Sequence, residues 1–154
     1  MWRGLSRSIL LVLAGGLVAG TLDIVYACTF WALKASVPPT RILQSVAAGL
    51  LGKASFQGGM GTAALGLALH FTIAVLMSVA YYFAARHWPL LHRRPCITGA
   101  TYGLALYAVM TYVVVPLSAA GPSPSDPLWI TLSIAAHVLL VGIPIALFVR
   151  RALR

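Results

Sequence analysis

Charge is scarce in this chain. Only 8% of its 154 residues are charged; there is no Glu, there are two Asp and there are two Cys. A soluble domain carries about 25% charged residues, so this composition excludes a disordered chain and speaks against a soluble globular domain. Without Glu there is no paired-carboxylate site of the kind that general acid–base hydrolysis uses. No CxxC, HExxH or HxxxH spacing marks a metal site, and no glycine-rich phosphate loop is present. The activity is therefore expected to be non-enzymatic, although the sequence alone leaves that open.

Hydrophobic residues, in contrast, make up 60% of the chain, and the mean hydropathy is +0.93. They fall into four runs, about Ile9 to Leu33, Thr62 to Ala85, Ile97 to Leu117 and Leu128 to Val149. At 1.5 Å per residue, runs of about 20–25 residues cross a hydrocarbon layer roughly 30 Å thick. They are too long for membrane β-strands and do not alternate in polarity as such strands do. The predicted fold is all-α, a single polytopic domain over residues 1–154 with four transmembrane helices. The first run is longer than the apolar core of a signal peptide, holds Asp23 and continues past Cys28 through Trp31, so it is read as a retained helix.

Eleven Lys and Arg against two Asp give a formal net charge of +9. The basic residues cluster at the ends of the runs, not along a stripe with aromatic platforms, which argues against a nucleic-acid partner. With the N-terminus inside, Arg3, Arg7, Arg86, Arg93, Arg94, Arg150, Arg151 and Arg154 are cytoplasmic, and Lys34, Arg41 and Lys53 are outside. Eight against three favours N-in and C-in, with the basic side meeting anionic headgroups of the bilayer. Trp2 and Trp88 then sit at the inner interface and Trp31 and Trp129 at the outer one. His87 and His92 fall in the inner basic loop. Cys28 and Cys96 lie on the order of 20 Å apart in depth, so no disulfide joins them.

Between the first two runs, Pro38-Pro39 stop one helix, and Thr40 is placed to cap another. Ile42, Leu43, Val46, Leu50 and Leu51 recur at helical spacing over about residues 40–52, and Gly58, Gly59 and Gly61 end the segment. It reads as an amphipathic helix that either lies on the outer membrane surface, the favoured placement, or dips back into the bundle. Pro144 is expected to kink the fourth helix, and Pro116 sits near the end of the third.

Three stretches carry a resemblance: Gly15 through Ile24 (GGLVAGTLDI), Ile42-Leu43-Gln44 through Leu50-Leu51-Gly52-Lys53-Ala54-Ser55-Phe56, and Val113-Val114-Val115-Pro116-Leu117-Ser118. In this order they resemble a group of small four-helix inner-membrane proteins of Gram-negative bacteria and, more distantly, the YagU-like family. The resemblance implies a bacterial inner-membrane location and a four-helix architecture. It implies no mechanism.

Asp23 is the sharpest single feature. It lies about 15 Å below the outer end of its helix, where a carboxylate costs roughly 2.5–3.5 kcal/mol unless it faces protein or water. Gly16 and Gly20 share its face and predict close helix packing there. His70 and His137 lie about 12 and 14 Å deep on the same arithmetic, with Tyr107 and Thr111 at a similar level. These five residues are the candidate polar layer, with Asp23 and at least one His expected within reach of each other. Three readings compete: a hydrogen-bonded packing layer, a proton- or ion-binding site of a transport-related protein or accessory subunit, or a haem or metal site on His70, His137 and Asp23. No cofactor is predicted under the first two. A functional pathway would need a homo-oligomer or a membrane partner, because four helices enclose little volume.

The charge count makes a direct prediction. Reporter fusions after Arg154 and between Arg86 and Pro95 read cytoplasmic, and a fusion between Pro122 and Pro127 reads periplasmic. A periplasmic C-terminus overturns the orientation.

Overall fold

The computed structural model describes residues 2–154, with side chains from Arg7 onward. The side chains of Trp2 and Arg3, used in the indole and charge readings, lie outside the described residues. Among the described residues every regular element is helical. Helix α1 spans Trp2–Ala35, α2 Pro39–Leu51, α3 Gly59–His87, and α4 is a single turn over Leu90–Arg93. Helix α5 runs over Pro95–Leu117 and α6 over Pro127–Ala152. Four of them, α1 from Arg7 onward, α3, α5 and α6, are long and apolar enough to cross a membrane. They contain the four apolar runs and extend each by a few residues.

The long helices alternate in direction, so both chain termini lie at one end, where Ser8 Oγ donates to the Ala152 carbonyl at 2.8 Å. We call this the terminal end and the opposite one the far end. Helices α1 and α6 form the central pair, with α3 packed on α1 and α5 packed on α6. The contacts are made through missing side chains. A Cβ at Gly16 would lie 2.6 Å from the Cα of Val75, and one at Gly20 3.0 Å from the Cβ of Ala74. A Cβ at Gly142 would collide with the Gly99 carbonyl oxygen, and one at Gly103 with the carbonyl of His137. For helices in a bilayer, where burying apolar surface gains little, such close backbone approach is one of the main sources of packing energy.

The terminal half holds most of the buried core. Tyr81, Ile145 and Val149 are fully buried there. The Tyr81 hydroxyl donates to the Leu91 carbonyl at 3.0 Å and lies 2.9 Å from Thr98 Oγ1; Tyr102 donates to the Met77 carbonyl at 2.8 Å. These side chains join α3 to α5. Cys28 and Cys96 are unpaired, as their depths required.

Two sequence expectations change. Thr40 is not the cap of α2: Pro38 holds the cap position in extended backbone, and Pro39 opens the helix, because a proline's fixed φ and missing N–H suit that first position. Helix α2 also does not stand apart from the bundle. It packs along α3 so closely that a Cβ at Gly66 would collide with the Leu43 carbonyl, and it buries Gln44, Ala47 and Ala48. Gln44 Nε2 donates to the Gly59 carbonyl at 3.0 Å, and Ala119 N donates to the Gly49 carbonyl at 3.0 Å, so α2 is tied to both the start of α3 and the α5–α6 loop.

The two prolines act through wide turns. Helix α5 passes through a π-helical segment, Met110–Val114, ahead of Pro116; α6 does so at His137–Gly142, ahead of Pro144. Val115 N bonds the Met110 carbonyl and Ile143 N the Val138 carbonyl, each five residues back. A proline offers no N–H to the carbonyl four residues before it and clashes with that turn, and a π turn relieves both.

Gly142→Val is expected to destabilise the protein by about 1–3 kcal/mol or more, because the backbone of α5 cannot yield. Gly121→Val, with nothing within 4 Å of its Cβ, should change stability by less than about 0.5 kcal/mol. Thermal unfolding of the two variants in one detergent decides this.

Candidate functional site

The far half is hollow. A cavity of about 480 Å³ opens between α1, α3 and α6, roofed by α2 and by the Ala120–Pro124 stretch of the α5–α6 loop. Below it lies a second cavity of about 210 Å³, lined mainly by apolar side chains of α1, α3, α5 and α6, among them Ile73, Met77, Met110 and Val141. Asp23, Val46, His70 and His137 line both. The two chambers therefore meet at the polar layer.

Each member is placed by its helix. On α1, the bare Gly20 lets α3 approach, and its carbonyl accepts a hydrogen bond from His70 Nε2 at 2.8 Å. On α6, His137 opens the π segment, and its Nδ1 donates to the Ser133 carbonyl one turn back at 2.9 Å. A carbonyl only accepts, so in neutral imidazole the bonded nitrogen carries the proton and the other nitrogen is an acceptor. In that neutral form Nδ1 of His70 and Nε2 of His137 carry the lone pairs. Asp23 sits one turn after Gly20, half-buried, and no hydrogen bond or ion pair reaches it from the described residues.

The expected direct Asp–His pair is absent. The two rings spend their protons on backbone carbonyls, and the three side chains share a cavity instead of a bond. Tyr107 and Thr111 fall outside the site. Tyr107 packs edge-on against the His137 ring, with centroids 5.5 Å apart, and so positions it; Thr111 lies in the π segment of α5 and lines neither cavity. In their place come Tyr26 and Ser133, whose hydroxyls lie 3.5 Å apart across α1 and α6. Tyr26 follows Asp23 by three residues, and Ser133 precedes His137 by four, so helical spacing held the signal for both.

At the mouth, Tyr26 stacks on Trp129 with centroids 5.7 Å apart, and Phe30 and Trp31 pack on the same indole at 5.1 and 5.2 Å. Lys53 stands exposed on the vestibule wall. Arg41 caps the ring of Phe56, 4.2 Å from its centroid. Among the described residues no group of three or more His, Cys, Asp or Glu is gathered closely enough to hold a metal ion.

Comparison with known protein families, with curated proteins and with solved structures gives no match. The chemistry of the site rests on its own residues.

The loop that closes the vestibule is anchored by Asp126. Its carboxylate caps α6, accepting from Trp129 N at 2.8 Å, and pairs with the Lys34 ammonium at the end of α1. Lys34 first, and the Trp129 N–H second, hold the Asp126 carboxyl below the usual carboxylate range. A lowered folded value means that the carboxylate stabilises the fold above the unfolded value of about 3.9. That contribution is lost as pH falls through the lower folded value. A carboxyl-resolved NMR titration should place Asp126 below the ordinary range, and Lys34→Met should move it upward. An Asp126 titration unmoved by that change would show that the ion pair does not hold the loop.

Proposed function

We propose that this chain is a bacterial inner-membrane protein with both termini in the cytoplasm. In this reading it works without catalysis, as a small transport-related protein or as an accessory subunit of a membrane assembly. The far-end vestibule then opens toward the periplasm, and the Asp23, His70 and His137 layer receives a proton or cation at its floor. One observation carries the reading: a carboxylate in a membrane-length helix lines a cavity and has no hydrogen-bonding or ionic partner among the described residues. At such depth an unpaired charge is costly, and the cost is offset by a ligand, a proton or water. A packing role alone would use the carboxylate in an interhelical bond, as Ser78 uses its hydroxyl on the Val12 carbonyl at 2.7 Å. Four helices long and apolar enough to cross a membrane support a membrane location. The many large apolar side chains exposed on the outer faces suit lipid or neighbouring subunits.

Proteoliposomes under an imposed proton or sodium gradient test this. Wild type should carry a flux that Asp23→Asn abolishes, while the variant's stability changes by about 1 kcal/mol. Equal flux in both proteins removes Asp23 from any pathway. A Soret band or stoichiometric metal in the purified protein would replace this reading with a redox one ligated through the bare nitrogens of His70 and His137.

A further inference from the structure

The floor of the vestibule is one-sided in its hydrogen bonding. Asp23 only accepts when ionised, and each imidazole has spent its N–H on a backbone carbonyl, of Gly20 and of Ser133. Three acceptor groups line one junction with no side-chain donor among them. An anion entering here is repelled by the ionised carboxylate, whereas a positively charged group with N–H bonds finds acceptors along the lining. Below the junction lies the apolar chamber of about 210 Å³. A cavity of about 150 Å³ with such a lining suffices to hold benzene, so a phenyl or hexyl group fits.

We infer that the two chambers together bind a hydrophobic primary ammonium ion: its –NH₃⁺ at the Asp23, His70 and His137 junction, and its apolar group in the chamber below. The inference rests on the proposed function only in using the same site. The wall above favours such a guest, since Tyr26, Trp31 and Trp129 offer aromatic surface to a passing cation. Lys53 and Arg41 oppose it, but both are exposed to water, where salt screens them beyond about 8 Å. Asp23 acts in a less polar setting, at closer range, so attraction at the floor outweighs repulsion at the rim.

The test uses the full chain in lipid nanodiscs, with empty nanodiscs subtracted and tryptophan fluorescence or calorimetry as readout. Hexylammonium should bind saturably. Hexyltrimethylammonium, which keeps the charge but has no N–H, and hexanoate should each bind at least tenfold more weakly. Along the series from methylammonium to hexylammonium affinity should rise, then level off once the chain outgrows the lower chamber. Asp23→Asn should weaken hexylammonium at least tenfold and Asp23→Glu much less; thermal melts identify a variant that fails to fold, and the ligand series then decides alone. Hexanoate binding as tightly as hexylammonium, hexyltrimethylammonium binding equally well, or no saturable amine binding overturns the inference. Absent amine binding with an intact Asp23-dependent flux sinks this inference alone. Amine binding without flux keeps the site and removes the flux reading.

Discussion

Close backbone approach at glycine holds this bundle together, and the rest of the structure follows from where those glycines are. Helices of this composition gain little in a bilayer by burying Leu against Leu, since lipid offers the same surroundings. What they gain is contact density where side chains are missing. Gly16 and Gly20 set α3 against α1, Gly99, Gly103 and Gly142 set α5 against α6, and Gly66 seats α2 on α3. In the terminal half, Tyr81 and Tyr102 bridge α3 and α5 by hydrogen bonds. Toward the far end no hydroxyl bridges α3 and α5 in this way, α2 covers the gap, and the two chambers that share the polar layer lie there.

The polar layer depends on the same contacts. His70 reaches the Gly20 carbonyl because Gly20 has no side chain in the way, and His137 is held by Ser133 behind it and Tyr107 beside it. Each contact removes a donor from the cavity. The layer's acceptor character thus comes from one interhelical and one intrahelical bond, and it leaves Asp23 without a donor from either ring.

Much of this was legible in the chain. The four runs located the long helices because hydropathy over 20 residues is a strong signal, and Gly16 and Gly20 marked their packing face correctly. Asp23, His70 and His137 do line one space, since 1.5 Å per residue fixes depth well. Depth says nothing about azimuth, however, which is why Thr111 shared the level but not the cavity. Nor could the sequence show that the imidazoles prefer backbone carbonyls to Asp23, because that choice turns on distances of an ångström between helices. The position of α2 was underdetermined for a similar reason: an apolar stripe suits a lipid surface and a helix face equally, and only the bare Gly66 decides between them.

The prolines connect these two levels. A π turn adds a residue to the helix without adding length in proportion, so side chains beyond it are rotated relative to those before it. In α5 and α6 both π turns lie at the depth of the cavities, and they contribute Met110, His137 and Val141 to the cavity walls. Without the π turns, the side chains beyond Met110 and His137 would sit at different angles to those before them. The prolines sit nearer the helix ends, away from the polar layer, yet the π turns ahead of them lie beside it. A residue can thus shape a site it never touches, by fixing the winding of the helix that carries the site.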